Sequence, residues 1–236
     1  MEALKEITQL SEYYLDKTGR PLVSLCYAQS LDGSISNASK RPLELSGSDS
    51  MIFTHKLRAV HDAILVGIGT VLTDDPQLTV RLVEGKNPQP VILDSRCRTP
   101  VSSYLMQGHP VSPWIAITEK APPSRRSALE IQGARLLELK CNTQGNVNLD
   151  DLMRKLAEFQ VRSLMVEGGS SVITSVLSQK LVDHVILTIS PQYIAGNNVL
   201  NQDFLKEGLE DLRLIEPEVQ TMGNDVVIWG RITVNK

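Results

Sequence analysis

Two glycine-containing segments could place backbone amide groups beside an anionic ligand. The segment GIGT at 67–70 follows an apolar run at 62–67, and EGGSS at 167–171 follows another at 162–166 and leads into a helical pattern. Exposed amides and the positive end of a helix dipole favour phosphate at such points. Neither segment is a G-x-G-x-x-G fingerprint, so each alone is also compatible with an ordinary turn. Together they favour a nucleotide at the carboxyl edge of an α/β sheet.

A loop with two acidic residues and a following arginine is the third candidate. Asp74 and Asp75 precede Pro76 and could cap a turn, while Arg81 stands at the far end of the same loop. An arginine in this position could bind a phosphate through two parallel hydrogen bonds. Arg58, on the preceding predicted helix, could add a second positive charge. A surface salt bridge is the commoner role of a single arginine, so this alternative stays open.

The histidines and cysteines do not form a recognisable metal or nucleophile motif. His55 and His61 are six residues apart, which does not place them on one helical face. Cys26, Cys97 and Cys141 are scattered, with no C-x-x-C pair. The sequence also lacks the zinc-deaminase signature, the G-x-S-x-G elbow and the phosphate-binding G-x-x-x-x-G-K-[ST] loop. We therefore expect no metal site and reduced thiols.

Composition narrows the class of protein. With 24 basic and 27 acidic residues the formal net charge is −3, so no basic surface predicts nucleic-acid binding. Residues 1–10 lack the long apolar segment of a signal peptide, and no apolar run has the length of a membrane span. These features predict a cytoplasmic protein without membrane or nucleic-acid partners. Only 4% of the residues are aromatic, so the core must consist mainly of Leu, Val and Ile.

Hydrophobic periodicity predicts an α/β chain that ends in a β-hairpin. Helices are predicted at 2–17, about 48–61, 123–132, 150–159 and from about 171 to 179, and a loop at 73–76. Strands are predicted at 21–28, 62–67, 90–94, 114–118, 134–139, 162–166, 183–190, 211–219 and 225–234. The turn at 222–225 joins the last two strands as an antiparallel hairpin, which implies a mixed sheet. We predict one domain at 21–236 behind a helical lead-in at 1–20.

Taken together, these segments resemble a known family. The stretches that carry the resemblance are YAQSLDG at 27–33, the long stretch from THKLRA through DAILVGIGTVLTDDPQLTVR at 54–81, VILDS at 91–95, and VEGGS at 166–170. They look like the reductase of riboflavin biosynthesis, which many bacteria fuse behind a deaminase, and the resemblance extends over roughly 20–232. It implies a dihydrofolate-reductase-like three-layer α/β/α fold with a mixed, mostly parallel sheet and a C-terminal antiparallel hairpin. It also implies a homodimer.

The resemblance further implies the reaction and the residues that perform it. A ribosyl chain on a phosphorylated pyrimidine would be reduced to a ribityl chain by NADPH, with NADH as an alternative donor. The implied cofactor-binding residues are Gly67, Thr70, Asp74, Ser95, Gly168, Gly169, Ser170 and Ser171. The implied substrate-binding residues are Arg58, Leu78, Arg81 and Glu167, with both arginines on the substrate phosphate. Glu167 and Asp32 are the catalytic candidates, Glu167 as a hydrogen-bond acceptor for the substrate and Asp32 as a polarising group. Arg96 or Arg98 is a candidate for contacting a 2′-phosphate of the cofactor.

Two departures from the fused bacterial enzymes bear on the substrate. Those enzymes commonly have a lysine where this chain has Cys26 and a Ser-x-Trp segment near residues 42–44, and this chain has neither. The YAQSLD form at 27–32 is more similar to the stand-alone reductases of fungi and archaea. Those reductases act before deamination, so we favour the 2,5-diamino-pyrimidinone over its deaminated uracil analogue. Another heterocycle, or nucleotide binding without catalysis, stays open. The presence of both Arg58 and Arg81 favours a phosphorylated substrate.

Overall fold

The computed structural model describes residues 2–37, 43–200 and 212–234. The helices in these ranges are α1 (Glu2–Thr18), α2 (Ser48–Val60), α3 (Ile68–Asp74), α4 (Tyr104–Gln107), α5 (Pro123–Ile131), α6 (Leu149–Glu158) and α7 (Ser170–Ser178). The strands are β1 (Leu22–Ser30), β2 (Ser34–Ser36), β3 (Ala63–Gly67), β4 (Gln89–Leu93), β5 (Trp114–Ile117), β6 (Arg135–Glu138), β7 (Ser163–Val166), β8 (His184–Ser190), β9 (Asn197–Asn198), β10 (Leu212–Met222) and β11 (Asp225–Val234). Residue 211, the predicted start of the hairpin, lies outside the described ranges.

Nine of these strands form one mixed sheet in the order β10-β11-β8-β1-β7-β3-β4-β5-β6. The strands from β8 to β6 in this order are all parallel, whereas β11 pairs antiparallel with β8 and β10 pairs antiparallel with β11. The predicted mixed, mostly parallel sheet with a C-terminal antiparallel hairpin is therefore confirmed. Strands β2 and β9 pair separately in a small two-stranded sheet, which the sequence did not indicate.

Helices cover both faces of the parallel strands. Side chains of α6 and α7 form a core on one face, and side chains of α1, α2, α3, α4 and α5 form a second core on the other. Strand β3 shows the reason for its continuous apolar sequence: Leu65 points to the first core, and Ile64 and Val66 point to the second. The predicted three-layer α/β/α arrangement is confirmed. No described helix is both long enough and apolar enough to span a membrane.

The segment after β3 differs from its prediction. Residues 73 and 74, predicted as loop, belong to helix α3, which starts directly after the strand and ends at Asp74. Asp75 then adopts a left-handed conformation, with φ of 41°, and its carboxylate accepts a hydrogen bond from the Tyr104 amide at 2.8 Å. Asp74 is thus the last residue of α3, and the side chain of Asp75 caps the first amide of α4. Seven residues are too few to show a clear helical period in the sequence.

His61 is a core residue, not a ligand. Its Nδ1 lies 2.6 Å from the Leu57 carbonyl oxygen and its Nε2 lies 2.9 Å from the Ser24 hydroxyl. Nδ1 therefore donates its proton to the carbonyl, and Nε2 accepts from the serine, which fixes the neutral ring. Burial lowers the pKa of His61 from 6.5 to about 4.

Stability should therefore fall as the solution is acidified between these two pKa values. Below about pH 6.5 the unfolded chain binds a proton at His61, whereas the folded chain binds it only below about pH 4. The free energy of unfolding therefore falls by up to about 3 kcal/mol across this range. Urea unfolding at about pH 7 and about pH 4.5 measures this loss, with His61→Gln as the variant that lacks the titrating ring. An equal pH dependence in the wild type and the variant would contradict the assignment.

Candidate active site

The site lies where neighbouring parallel strands end at one edge of the sheet. Strands β7, β3 and β4 are adjacent, so the residues that follow Val166, Gly67 and Leu93 meet at their carboxyl ends. A cleft of about 1130 Å³ opens there. Its walls include eleven of the predicted site residues: Arg58, Gly67, Thr70, Asp74, Leu78, Arg81, Ser95, Glu167, Gly169, Ser170 and Ser171.

A smaller lobe of about 350 Å³ shares a wall with this cleft. Arg58, Thr70, Asp74, Glu167 and Gly169 line both spaces. The smaller lobe is also lined by Gly168, the twelfth predicted residue, and by Cys26, Tyr27, Thr54 and Thr188. The two lobes give room for two ligands that would meet at the shared wall.

Two helices begin at the cleft without side-chain caps. Helix α7 starts after Gly169 and helix α3 starts after Gly67, and no described side chain accepts a hydrogen bond from a first-turn amide of either helix. A Cβ atom at Gly69 would meet nothing within 4 Å, and one at Gly169 would only reach ordinary contact with the Thr70 hydroxyl at 3.6 Å. The space in front of these two glycines is therefore open, and the helix ends favour an anion in it.

Gly67 and Gly168 have a different structural reason. A Cβ at Gly67 would lie 2.8 Å from a methyl of Val172, and a Cβ at Gly168 would lie 2.5 Å from the Val172 Cβ. Both glycines let helix α7 approach the strand ends closely. A positive φ is one reason for a glycine in such a turn, but Gly67 has a φ of −83°, so its position does not need a glycine on that ground.

Arg58 and Glu167 form a buried ion pair in the shared wall. The Nε and Nη2 atoms of Arg58 each donate to one carboxylate oxygen of Glu167 at 2.7 Å, and Nη1 donates to the Thr79 carbonyl at 3.1 Å. Only 8% of Arg58 is exposed. The Arg58 guanidinium is thus bound to Glu167 and to the loop, and it fixes the orientation of the Glu167 carboxylate. Its expected contact with the substrate phosphate stays a prediction.

Arg81 keeps its guanidinium available. Its side chain is exposed and lines the larger cleft, and no ion pair within the described residues involves it. Its backbone amide, by contrast, is fixed by a 3.0 Å hydrogen bond to Nδ1 of His55. Leu78, in the same loop, is buried with a left-handed φ of 53°. Arg81 is thus the substrate-phosphate candidate that the structure leaves free to bind an anion.

The carboxylate of Asp32 has four described hydrogen-bond donors. Its carboxylate accepts hydrogen bonds from the hydroxyls of Ser30 and Ser34 at 2.5 and 2.9 Å, and from the amides of Ile194 and Ala195 at 3.0 and 2.8 Å. These bonds, that of Ser30 first, lower its pKa below the ordinary range. Asp32 is not among the described residues that line either lobe. Asp32 joins the loop after β1 to the loop after β8, and its expected polarising role stays a prediction.

The region after β4 supplies a further wall of the cleft. The Ser95 hydroxyl accepts a hydrogen bond from the Val147 amide at 3.1 Å and so holds the loop before α6 at the strand end. Arg96 is exposed and lines the cleft. Arg98 also lines it, with its Nε 3.9 Å from the Asp94 carboxylate. Arg96 is therefore the better placed of the two arginines to receive an additional anion.

Several lining residues were not identified from the sequence. Ile35 and Asn197 reach the cleft from the small β2–β9 sheet, whose strands are far apart in the chain and too short for a periodic signal. Asn142 and Asn146 come from a turn that Asn142 closes through its own side chain, bonded to the Asn146 amide at 2.9 Å. The NTQGN composition at 142–146 indicates a turn but no binding role.

The chain is similar over most of its length to known proteins of one family. The model of the family described as RibD C-terminal domain matches residues 21–228. The chain is 37% identical over 189 residues to the 2,5-diamino-6-ribosylamino-4(3H)-pyrimidinone 5′-phosphate reductase of Archaeoglobus fulgidus, covering 76% of this chain and 84% of that protein.

Two solved structures share the fold over nearly the whole chain. The riboflavin biosynthesis reductase Rib7 of Saccharomyces cerevisiae superposes with a TM-score of 0.71 at 28% identity, covering 97% of this chain and 100% of Rib7. RibD of Acinetobacter baumannii superposes with a TM-score of 0.80 at 26% identity; the match covers 95% of this chain but only 62% of that protein. On the family match and these likenesses, the chain belongs to the RibD C-terminal domain family.

Proposed function

We propose that this chain is an NADPH-dependent reductase of 2,5-diamino-6-ribosylamino-4(3H)-pyrimidinone 5′-phosphate, converting its ribosyl chain to a ribityl chain. One observation carries the proposal: a cleft that combines two uncapped helix N-termini, Arg81 with no ion pair to a described residue, and a buried Arg58–Glu167 pair in the wall of a second lobe. The names of the Archaeoglobus and Saccharomyces relatives support the same reaction. We also infer a cytosolic homodimer.

The larger cleft fits a dinucleotide. Its volume of about 1130 Å³ is slightly larger than ordinary small-molecule sites, which run to about 1,000 Å³. The amides at the start of α7, with Gly169, Ser170 and Ser171, would hold the phosphates, and Thr70 lies beside them. When bound there, NADPH would supply the hydride for the sugar carbon that is bonded to the exocyclic nitrogen.

The residues of this chain would act mainly by positioning the substrate. Arg81 would bind the 5′-phosphate, and the carboxylate of Glu167, held by Arg58, would accept hydrogen bonds from the pyrimidine. Asp74 lines both lobes, and partial burial raises the pKa of its carboxyl group. Holding the open-chain, imine-like form of the sugar against the hydride donor makes a bimolecular reaction effectively unimolecular.

The test is loss of NADPH absorbance with the diamino compound and with its deaminated uracil analogue, measured side by side. Faster turnover of the diamino compound is expected. Preference for the uracil compound would keep the reductase but reverse the order of reduction and deamination. If NADPH binds and neither compound is reduced, the proposed activity is wrong.

We also predict that Arg96 selects NADPH over NADH. An unpaired arginine that contacts a 2′-phosphate contributes about 1.5–3 kcal/mol, so Arg96→Ala should raise the KM for NADPH about 10- to 100-fold. The KM for NADH should stay unchanged because NADH lacks that phosphate. Arg98→Ala is the matched control, since Arg98 is also exposed to solvent but lies near Asp94. Equal losses for both cofactors would exclude a contact with the 2′-phosphate.

A further inference from the structure

The loop that carries Arg81 is held by side chains rather than by regular secondary structure. We define the Arg81 loop as residues 75–81, which follow α3 and have no helix or strand. Two of its residues, Asp75 and Leu78, have left-handed backbones, a conformation that non-glycine residues adopt at an energetic cost. The loop therefore needs fixed contacts outside itself to keep its shape.

Helix α2 provides two of these contacts. Nη1 of Arg58 donates to the Thr79 carbonyl at 3.1 Å, and Nδ1 of His55 accepts from the Arg81 amide at 3.0 Å. A third contact comes from Asn87, whose side chain accepts from the Val80 amide at 2.7 Å. Three successive residues of the loop, 79 to 81, are thus bonded to side chains, and the Arg81 amide is held by His55.

The protonation state of His55 follows from this contact. Because Nδ1 accepts a hydrogen bond from the Arg81 amide, the neutral ring must carry its own proton on Nε2. The ring is fully buried, and its Nε2 has no hydrogen-bond partner among the described residues. Burial, aided by the charges of Arg58 and Arg81, lowers the pKa of His55 to about 4, so the acceptor persists at neutral pH.

An unpaired buried N–H destabilises a fold by about 1–3 kcal/mol. An apolar side chain of similar volume would avoid this cost. The only described hydrogen bond of the His55 ring is the one to the Arg81 amide, so that bond is what the histidine adds over an apolar residue.

We propose that His55 is a positioning residue for substrate binding: its Nδ1 fixes the Arg81 backbone so that the Arg81 guanidinium is presented to the substrate phosphate. This inference rests on the proposed function, because it assigns Arg81 to the phosphate of a pyrimidine substrate. His55 itself lines neither lobe among the described residues and therefore acts through Arg81.

Two substitutions separate positioning from simple packing. His55→Leu fills a similar volume with an apolar side chain and removes the hydrogen-bond acceptor. In His55→Asn, the side-chain amide oxygen would lie close to the position that Nδ1 occupies in the wild type. We expect His55→Leu to raise the substrate KM about 10-fold, with kcat and the NADPH Kd nearly unchanged. In His55→Asn the substrate KM should stay close to the wild-type value. If His55→Leu does not fold, His55→Gln replaces it, because its longer side chain places the amide near Nε2.

A double-substitution cycle with Arg81→Ala gives the decisive readout. If His55 acts through the guanidinium of Arg81, His55→Leu should have no further effect on kcat/KM once that guanidinium is gone. Additive losses would overturn the inference, as would equal falls in substrate and NADPH affinity.

A binding measurement keeps this test independent of turnover. The same variants are titrated with ribose 5-phosphate by calorimetry, and His55→Leu should weaken binding about as much as it raises the substrate KM. An unchanged affinity overturns the role of His55 whether or not the wild type reduces a pyrimidine. Absence of turnover in the wild type, with a weakened ribose 5-phosphate affinity in His55→Leu, would instead reject only the proposed function.

Discussion

Replacing Arg81 by alanine should raise the KM for the pyrimidine phosphate about 30-fold and leave the NADPH affinity unchanged. A charge-assisted hydrogen bond to a phosphate contributes about 2 kcal/mol, which corresponds to this factor. Arg81 is exposed to the cleft, and no described carboxylate is paired with it, so its removal leaves no buried charge behind. The loss should therefore appear in substrate binding and not in stability.

Steady-state kinetics with the substrate varied, and fluorescence titration with NADPH, measure the two affinities separately. Arg81→Lys keeps the positive charge but loses the planar fork, so an intermediate KM is expected. Arg98→Ala, which removes another exposed arginine of the same cleft, should leave the substrate KM unchanged. Parallel losses of substrate and NADPH affinity in Arg81→Ala would show that Arg81 does not contact the substrate phosphate.

Breaking the Arg58–Glu167 pair should have the second large effect, on stability as well as activity. The side chains of Arg58 and Glu167 are only 10% and 17% exposed, and removal of one partner leaves the other charge without compensation. Arg58→Met should therefore destabilise the fold by about 3 kcal/mol. It should also lower kcat/KM at least 10-fold, because the Glu167 carboxylate loses its fixed orientation and the loop loses its contact at Thr79.

The double variant Arg58→Met, Glu167→Gln is the control for this prediction. Since no unpaired charge then remains, most of the lost stability should return, while activity stays low. Urea unfolding and NADPH-oxidation kinetics on the single and double variants give both quantities. If the double variant is less stable than Arg58→Met, the ion pair is not the source of the effect.

The sequence was sufficient for the layers of the fold and for most of the cleft. Buried parallel strands such as β3 and β7 read as short apolar runs, and the segments GIGT and EGGSS mark the points where those strands end. Because parallel strands share a carboxyl edge, residues that follow different strands were expected to meet, and they do.

Long-range polar contacts could not be predicted in the same way. Nothing near Asp32 in the chain indicates that its carboxylate binds the amides of Ile194 and Ala195. The partner of Arg58 also stands more than a hundred residues away, so the sequence did not indicate the ion pair between Arg58 and Glu167. Such side-chain contacts depend on tertiary geometry and leave no periodic pattern.

The most direct test of the reductase is the position of the transferred hydrogen. The diamino pyrimidine phosphate is incubated with NADPH that carries deuterium on the transferred position of the nicotinamide, and the product is examined by NMR and mass spectrometry. We predict one deuterium on the ribityl carbon bonded to the exocyclic nitrogen. A product without deuterium at that carbon, or with deuterium on the pyrimidine ring, would contradict side-chain reduction in this cleft.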